Sequence, residues 1–428
     1  MKKRFLGNKV VATVMVAALA MGTVITGCGA EKDNNSDTSA KNSSSDQDYM
    51  GIPITTDDVE LTVWESTAGA DEFVIQAGEK FHELYPNITV KYVNVEMGDA
   101  PGQIALDGPG GVGPDLFAAP SNANGTLVAG GHILPSQNQD YLKEHLLGSC
   151  VDAVTLDGEM YGYPLSADTY TLFYNKDLIS EDEVPKTFDE LKTWCEQFQK
   201  DNPDKKGFIM NMAQMYYTYI FLTGNGNRIF GPSGDDPSSP NVNTKEAVEG
   251  YEYMQSLREL IDAPAADIDG AYGDGAFMSG NVAMYVTGLW NVANFQDAGI
   301  NFGVTTLPCL PGEDTPPASM SNARNMVVSA YSEHPDEAAA FALFMVSDNM
   351  QKLRFELTGA LPSVNIDVDA DYVAGFLDQL EYAAPTPAIA EMNDVWTIMD
   401  AASANIWDGA DVQKELDAAN QAIMDSQQ

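Results

Sequence analysis

The sequence predicts an α/β fold in two lobes, and three observations carry that prediction. Short β-branched and aromatic runs alternate with amphipathic helical segments from Leu61 to Met424, the pattern of mainly parallel or mixed sheets covered by helices. A hydrophobic content of 44%, with 18 Tyr, 17 Phe and 5 Trp, supplies a real core and separates the chain from globally disordered compositions. About 370 residues follow the polar N-terminal stretch, more than one core usually organises.

Taken in order, the chain opens with Lys2, Lys3, Arg4 and Lys9, continues with an apolar run from Val10 to Ile25, and reaches Ile25-Thr26-Gly27-Cys28. That is the layout of a secretory signal peptide over 1–27. The apolar run is shorter than the roughly 20 residues that span a bilayer, so a permanent transmembrane helix is the weaker reading. The tetrapeptide resembles a bacterial lipobox, which implies that the Cys28 thiol takes a diacylglycerol and becomes the mature N-terminus. Lipid chains add about 0.8 kcal/mol per buried CH₂, so two or three would hold the protein on the outer face of the cytoplasmic membrane. Residues 28–58 follow, rich in Ser, Asp, Asn, Lys and Thr. They bury too little to fold and are expected to act as a disordered tether reaching on the order of 30 Å.

Ordered structure is expected from Leu61-Thr62-Val63-Trp64, a short strand. Phe73, Ala77, Phe81 and Leu84 follow at helical spacing and Ile88 to Val95 reads as a second strand, which gives β-α-β. Pro114-Asp115-Leu116-Phe117 leaves a glycine-rich turn. Thr187 with Glu190 three residues on is a capping box for a helix through Phe198. Phe302 to Leu307 is a further β element, and helices are predicted from Asp336 to Val346 and from Val412 to Met424.

Charge and motif content remove several function classes. The formal charge is −41; the signal segment holds four of the 22 basic residues and no acid, so the mature chain sets 18 basic against 63 acidic groups, a net −45. Such a chain repels nucleic acid, and no nucleic-acid partner is expected. The four histidines, His82, His132, His145 and His334, show no metal-ligand spacing. Asp107 to Pro114 is glycine-rich but lacks the ending of a phosphate loop and leads into a strand, so it reads as a turn. Asp367-x-Asp369-x-Asp371 has the rhythm of a calcium loop but places Tyr372 where the glycine belongs and Asp378 where the glutamate belongs. Cys150, Cys195 and Cys309 form no CxxC pattern, and sequence does not choose a pair among them. No cofactor or metal is expected. With 63 acids, paired carboxylates arise by chance, and a glycosidase reading survives only as an alternative.

What remains is an ordered set of short pieces: Gly113-Pro114-Asp115-Leu116-Phe117, Tyr163-Pro164-Leu165, Tyr174-Asn175-Lys176-Asp177-Leu178, Phe277 to Met284, Gly288-Leu289-Trp290, and Phe302-Gly303-Val304 with Leu307-Pro308. In order and spacing they resemble the extracellular solute-binding proteins of carbohydrate ABC importers, most closely the maltose and maltodextrin-binding group, from about Leu61 to Met424. The resemblance implies a two-lobed periplasmic-binding-protein-like fold, each lobe a central sheet flanked by helices, joined by a multi-segment hinge. The N-terminal lobe is expected over 59–168 and 323–366, the C-terminal lobe over 171–318 and 372–428. Crossings are expected near Ser166 to Thr171, Leu310 to Ala323 and Val364 to Tyr372. The implied partners are a maltooligosaccharide, the permease subunits of an ABC importer and the membrane through a lipid anchor, for a monomer that carries out no reaction. The alternatives are an extracellular glycosidase, or the same receptor fold with another oligosaccharide or a polyol.

The resemblance also implies site residues. Trp290, Trp396 and Tyr216 match rings on which sugars stack, and the chemistry fits: a pyranose has apolar C–H faces that a flat aromatic removes from water. Asp168 and Asn122 match carboxylates that bind hydroxyls and Gln214 matches a glutamate; the amides keep donors and acceptors. Glu65, beyond Trp64, is a weaker candidate. The group's lysine and aspartate after the first strand fall at Gly69 and Ala68, and an arginine beside Asn122 falls at Ala123. Arg324 is a candidate to replace a lost donor from another loop.

Overall fold

The computed structural model describes residues 47–67 and 69–427, so the expected signal peptide, Cys28 and residues 28–46 lie outside the described residues. Two sheets organise the described chain. The first runs Ala384–Pro385, Met320–Val328, Leu116–Pro120, Val59–Glu65, Ile88–Asn94, with Tyr163–Asp168 also paired to Met320–Val328. The second runs Lys206–Ile209, Val282–Gly288, Tyr170–Asn175, Phe302–Thr305. The expected β-α-β is present: Val59–Glu65 and Ile88–Asn94 pair in parallel from Val59↔Ile88 to Glu65↔Asn94, linked by the helix Ala70–Leu84, which buries Phe73, Ala77 and Phe81. Leu84, on the same predicted stripe, is 56% exposed at the helix end. The capping box forms as read: Thr187 Oγ1 accepts from the Glu190 amide and Glu190 Oε2 accepts from the Thr187 amide. Cys195 is buried on that helix, and Cys150, Cys195 and Cys309 are unpaired.

The strands change sheets twice, and a helix makes a third passage before Ala384–Pro385 returns to the first sheet. Tyr163–Asp168 belongs to the first sheet and, one residue later, Tyr170–Asn175 to the second. It returns between Phe302–Thr305 and Met320–Val328. After the helix Asp348–Thr358 it leads into Tyr372–Leu380, which packs on Phe302–Thr305. These passages are tied by buried polar groups: Thr169 Oγ1 lies 2.7 Å from Ser319 Oγ and donates to the Met320 carbonyl, while Gln379 Nε2 donates to Ser319 Oγ and the Pro317 carbonyl and its Oε1 accepts from the Leu307 amide. Satisfied buried polar groups specify one arrangement at a place where apolar packing alone would slide.

The tether expected to run to residue 58 ends earlier. Asp48–Tyr49 and Ile52–Pro53 form a hairpin turned by Met50 (φ 52°) and Gly51 (φ 86°). Ile52 and Ile54 are buried, the Tyr49 ring sits against Phe81 and Phe344, and the Thr55 amide donates to Glu337 Oε1 at 2.7 Å. Three apolar residues show no periodicity in a polar stretch; they are held by partners far along the chain.

Candidate functional site

The C-terminal ends of the first sheet's strands collect charge. Glu65 ends the strand Val59–Glu65 and is fully buried; Oε1 accepts from the Ser66 amide at 2.7 Å and from Arg324 Nη1 at 3.1 Å, while Oε2 meets no partner among the described residues. Arg324 Nη2 also donates to Ser66 Oγ. Arg324 stands within the strand Met320–Val328, not on a loop as the sequence suggested. In that strand Asn322 pairs directly opposite Asp168, and the two-residue alternation puts Asn322 and Arg324 on one face. Asn122 lies half-buried in the turn Ser121–Ala123, after the strand whose Pro120 pairs with Arg324.

A further arginine completes this group. Arg354, on the helix Asp348–Thr358, is 3% exposed, its guanidinium carbon 5.9 Å from the Phe73 ring. Burial and the like charge of Arg324 pull its pKa down to about 10, against the pull of Glu65 and Asp168, so it stays charged at neutral pH. Burial lifts the Glu65 carboxyl above its ordinary range in spite of Arg324 and Arg354, and lifts Asp168 in spite of the same two arginines. Two carboxylates and two guanidiniums thus act on one another where hydration is lowered, with Arg324 and Glu65 in direct contact.

The second sheet contributes rings. Val282–Gly288 leads into a short turn, Leu289–Asn291, that carries Trp290, 49% exposed. Its ring lies over the backbone of Gly288, where a Cβ would collide with it. Tyr216, half-buried in the first turn of Met215–Leu222, lies 6.2 Å from Trp290 and 4.9 Å, edge-on, from Tyr170. Burial and then the charge of Asp168 raise the Tyr216 pKa, so ring and carboxylate are neighbours across the two sheets. Gln214 is exposed just before that helix and accepts from Asn211 Nδ2 at 3.0 Å. Trp396 is half-buried on Met392–Trp407, one turn before Asp400, whose Oδ1 accepts from the Met215 amide at 2.7 Å.

Trp290, Tyr216, Asp168, Glu65 and Arg324 are therefore joined in one patch with Arg354, while Gln214 and Trp396 flank the start of the Tyr216 helix and Asn122 follows the strand beside Arg324. Sequence reading missed Arg354 and Asn322. The available signal for Arg354 was its place on a buried helical face with Met350 and Gln351, where an arginine requires a charged or polar partner. Gly69, where the resembling group has lysine, has φ +91° and a Cβ there would lie 2.5 Å from the Leu357 carbonyl oxygen. That position excludes a side chain, and the cations of the patch come from Arg324 and Arg354.

In this patch flat apolar faces lie beside charged donors and acceptors, a combination whose chemistry complements a polyhydroxylated ring. Residues 76–373 match the family model described as bacterial extracellular solute-binding protein. The chain is 30% identical over 424 residues to a galactooligosaccharide-binding protein of Bacillus subtilis (strain 168), covering 95% of each. It is 30% identical over 371 residues to the maltodextrin-binding protein MdxE of the same organism, covering 82% of this chain and 86% of that one. Its fold matches a crystal structure of a cyclo/maltodextrin-binding protein complexed with maltotetraose at a TM-score of 0.81 and 28% identity, over 86% of this chain and 97% of that one. These likenesses are to binding proteins and not to enzymes, which removes the glycosidase alternative: the chain belongs to the bacterial extracellular solute-binding protein family.

Proposed function

We propose that this chain is a receptor that captures malto-oligosaccharides outside the cell and hands them to the permease of an ABC importer. The observation that carries the reading is the pairing of Trp290 and Tyr216 from one sheet with Asp168 and Arg324 from the other. The rings take the C–H faces of glucose units and the charged groups take the hydroxyls. Closure of the two halves over the sugar would bring both sets onto it, and ligand would shift the open–closed equilibrium by its preference for the closed state. The lobe boundaries 59–168 with 323–366 and 171–318 with 372–428 would describe the two bodies that move, except that Ala384–Pro385 pairs with Met320–Val328 of the first sheet. Anchoring at Cys28 would hold the receptor, as a monomer, near its permease; replacing Cys28 with Ala should abolish an acyl adduct seen by mass spectrometry of the wild type.

A second reading, a galactooligosaccharide ligand, is favoured by one observation: the relative matched over 95% of the chain carries that name. Calorimetry with maltose, maltotriose, isomaltose, cellobiose, raffinose and a β-linked galactobiose separates the two. Tightest binding of maltotriose supports the first reading, tightest binding of galactobiose the second, and no binding of any of them refutes both.

A further inference from the structure

Arg354 stands apart from other buried polar groups of the first sheet. Its guanidinium has Glu65, Asp168 and Arg324 as charged neighbours and the Phe73 ring beneath it, yet Nε and Nη1 meet no acceptor among the described residues, as Glu65 Oε2 meets no donor. Leaving such groups buried and unpaired carries their full desolvation penalty, and an arginine devoted to holding the fold would be expected to take a carboxylate or carbonyl in its fork. Here the carboxylate that does pair goes to Arg324. Unmet donors beside an unmet acceptor, next to the Asp168 and Tyr216 neighbourhood, match hydroxyl groups, which donate and accept at once.

We propose that Arg354 is a ligand-contacting, specificity-determining residue: its guanidinium donates to sugar hydroxyl oxygens beside Glu65 and Asp168, and the balance of two arginines against two carboxylates selects neutral oligosaccharides over acidic ones. A sugar carboxylate brings only acceptors and meets repulsion from Glu65 and Asp168; an ammonium brings only donors and meets Arg324 and Arg354. This inference rests on the oligosaccharide reading above.

The test is calorimetry with maltotriose and with a maltotriose analogue carrying one glucuronic acid unit, on the wild type and on Arg354→Met, Arg354→Lys and Glu65→Gln, each with its melting temperature measured without ligand. Arg354→Met should weaken maltotriose binding about tenfold or more, the scale of a charge-assisted bond. Arg354→Lys should lose less, since it keeps the charge but not the fork. Glu65→Gln should gain affinity for the acidic analogue relative to maltotriose. Binding of maltotriose by Arg354→Met within about twofold of wild type, with only the melting temperature lowered, would make the residue structural and overturn the proposal. If that variant does not fold, Arg354→Lys decides by the same criterion. A wild type that binds none of the neutral sugars fails the underlying reading first, an outcome distinct from a wild type that binds while the Arg354 variants match it.

Discussion

Replacing Trp290 with Ala separates a stacking ring from a packing one, because 49% of the residue is exposed. A tryptophan buries up to about 250 Å², so roughly 120 Å² remains for a ligand to cover. At about 25 cal/mol per Å² that is at most ~3 kcal/mol, and since a sugar face is only partly apolar the expected loss is about 2 kcal/mol, or nearly thirtyfold in Kd. The stability cost should be small, since half of the residue is exposed and its ring lies on the Gly288 backbone beside Tyr216. A loss of about 1 kcal/mol corresponds to only some 2–4 °C in melting temperature for a chain of this size. Gly288→Ala is the companion variant: its φ of −107° suits alanine, but the new Cβ collides with the indole, so affinity should fall with the ring still in the sequence. Calorimetry with maltotriose and a thermal scan without ligand read both quantities. Trp290 is a packing residue and not a stacking one if Trp290→Ala binds within about twofold of wild type, or if it melts far lower while the folded fraction keeps its affinity.

Other changes act on the charged half and on the N-terminal hairpin. Arg324→Met leaves the buried Glu65 carboxylate without its 3.1 Å partner and should cost about 3–5 kcal/mol in urea unfolding, with part recovered in the double variant with Glu65→Gln. Asp168 has a carboxyl raised above its ordinary 3.8, so sugar affinity should begin to fall at a higher pH than an ordinary aspartate would give, as titration calorimetry from pH 7 downward would show. The sign for stability is opposite: a raised folded-state pKa means the folded protein holds the proton more tightly, so this group's contribution improves as pH falls from above the raised value toward 3.8. Asp168→Asn should abolish both trends, and an unchanged pH profile in that variant would exclude Asp168 as their source. Ile54→Ala should destabilise by about 2–5 kcal/mol; a chain starting at Gln47 should keep the wild-type melting temperature and one starting at Val59 should not, whereas equal melting of the two would return the hairpin to the tether.

Local signals carried the sequence reading where they were self-contained. The Thr187–Glu190 box needs only residues three apart, and the Ala70–Leu84 helix shows its own stripe. The rest depends on partners remote in sequence. Ile54 is core in a hairpin whose Thr55 amide reaches Glu337 and whose Tyr49 ring reaches Phe81 and Phe344. Arg324 joins Glu65 across 259 positions, and Arg354 reads as an ordinary helical cation until Glu65 and Asp168 are placed around it.

The placement has a consequence for how the receptor would discriminate. The rings come from the second sheet's side, and stacking depends on an apolar face that many hexoses share. The charges come from the first sheet's side, and a hydroxyl that misses its partner there leaves a desolvated carboxylate or guanidinium unpaired, which is where large discrimination originates. Variants of Trp290 and Tyr216 should therefore lower affinity for maltose, maltotriose and galactobiose by similar factors. Variants of Asp168 and Arg354 should instead reorder the three. Equal factors from both sets would mean that the charged half holds the lobes together and takes no part in choosing the sugar.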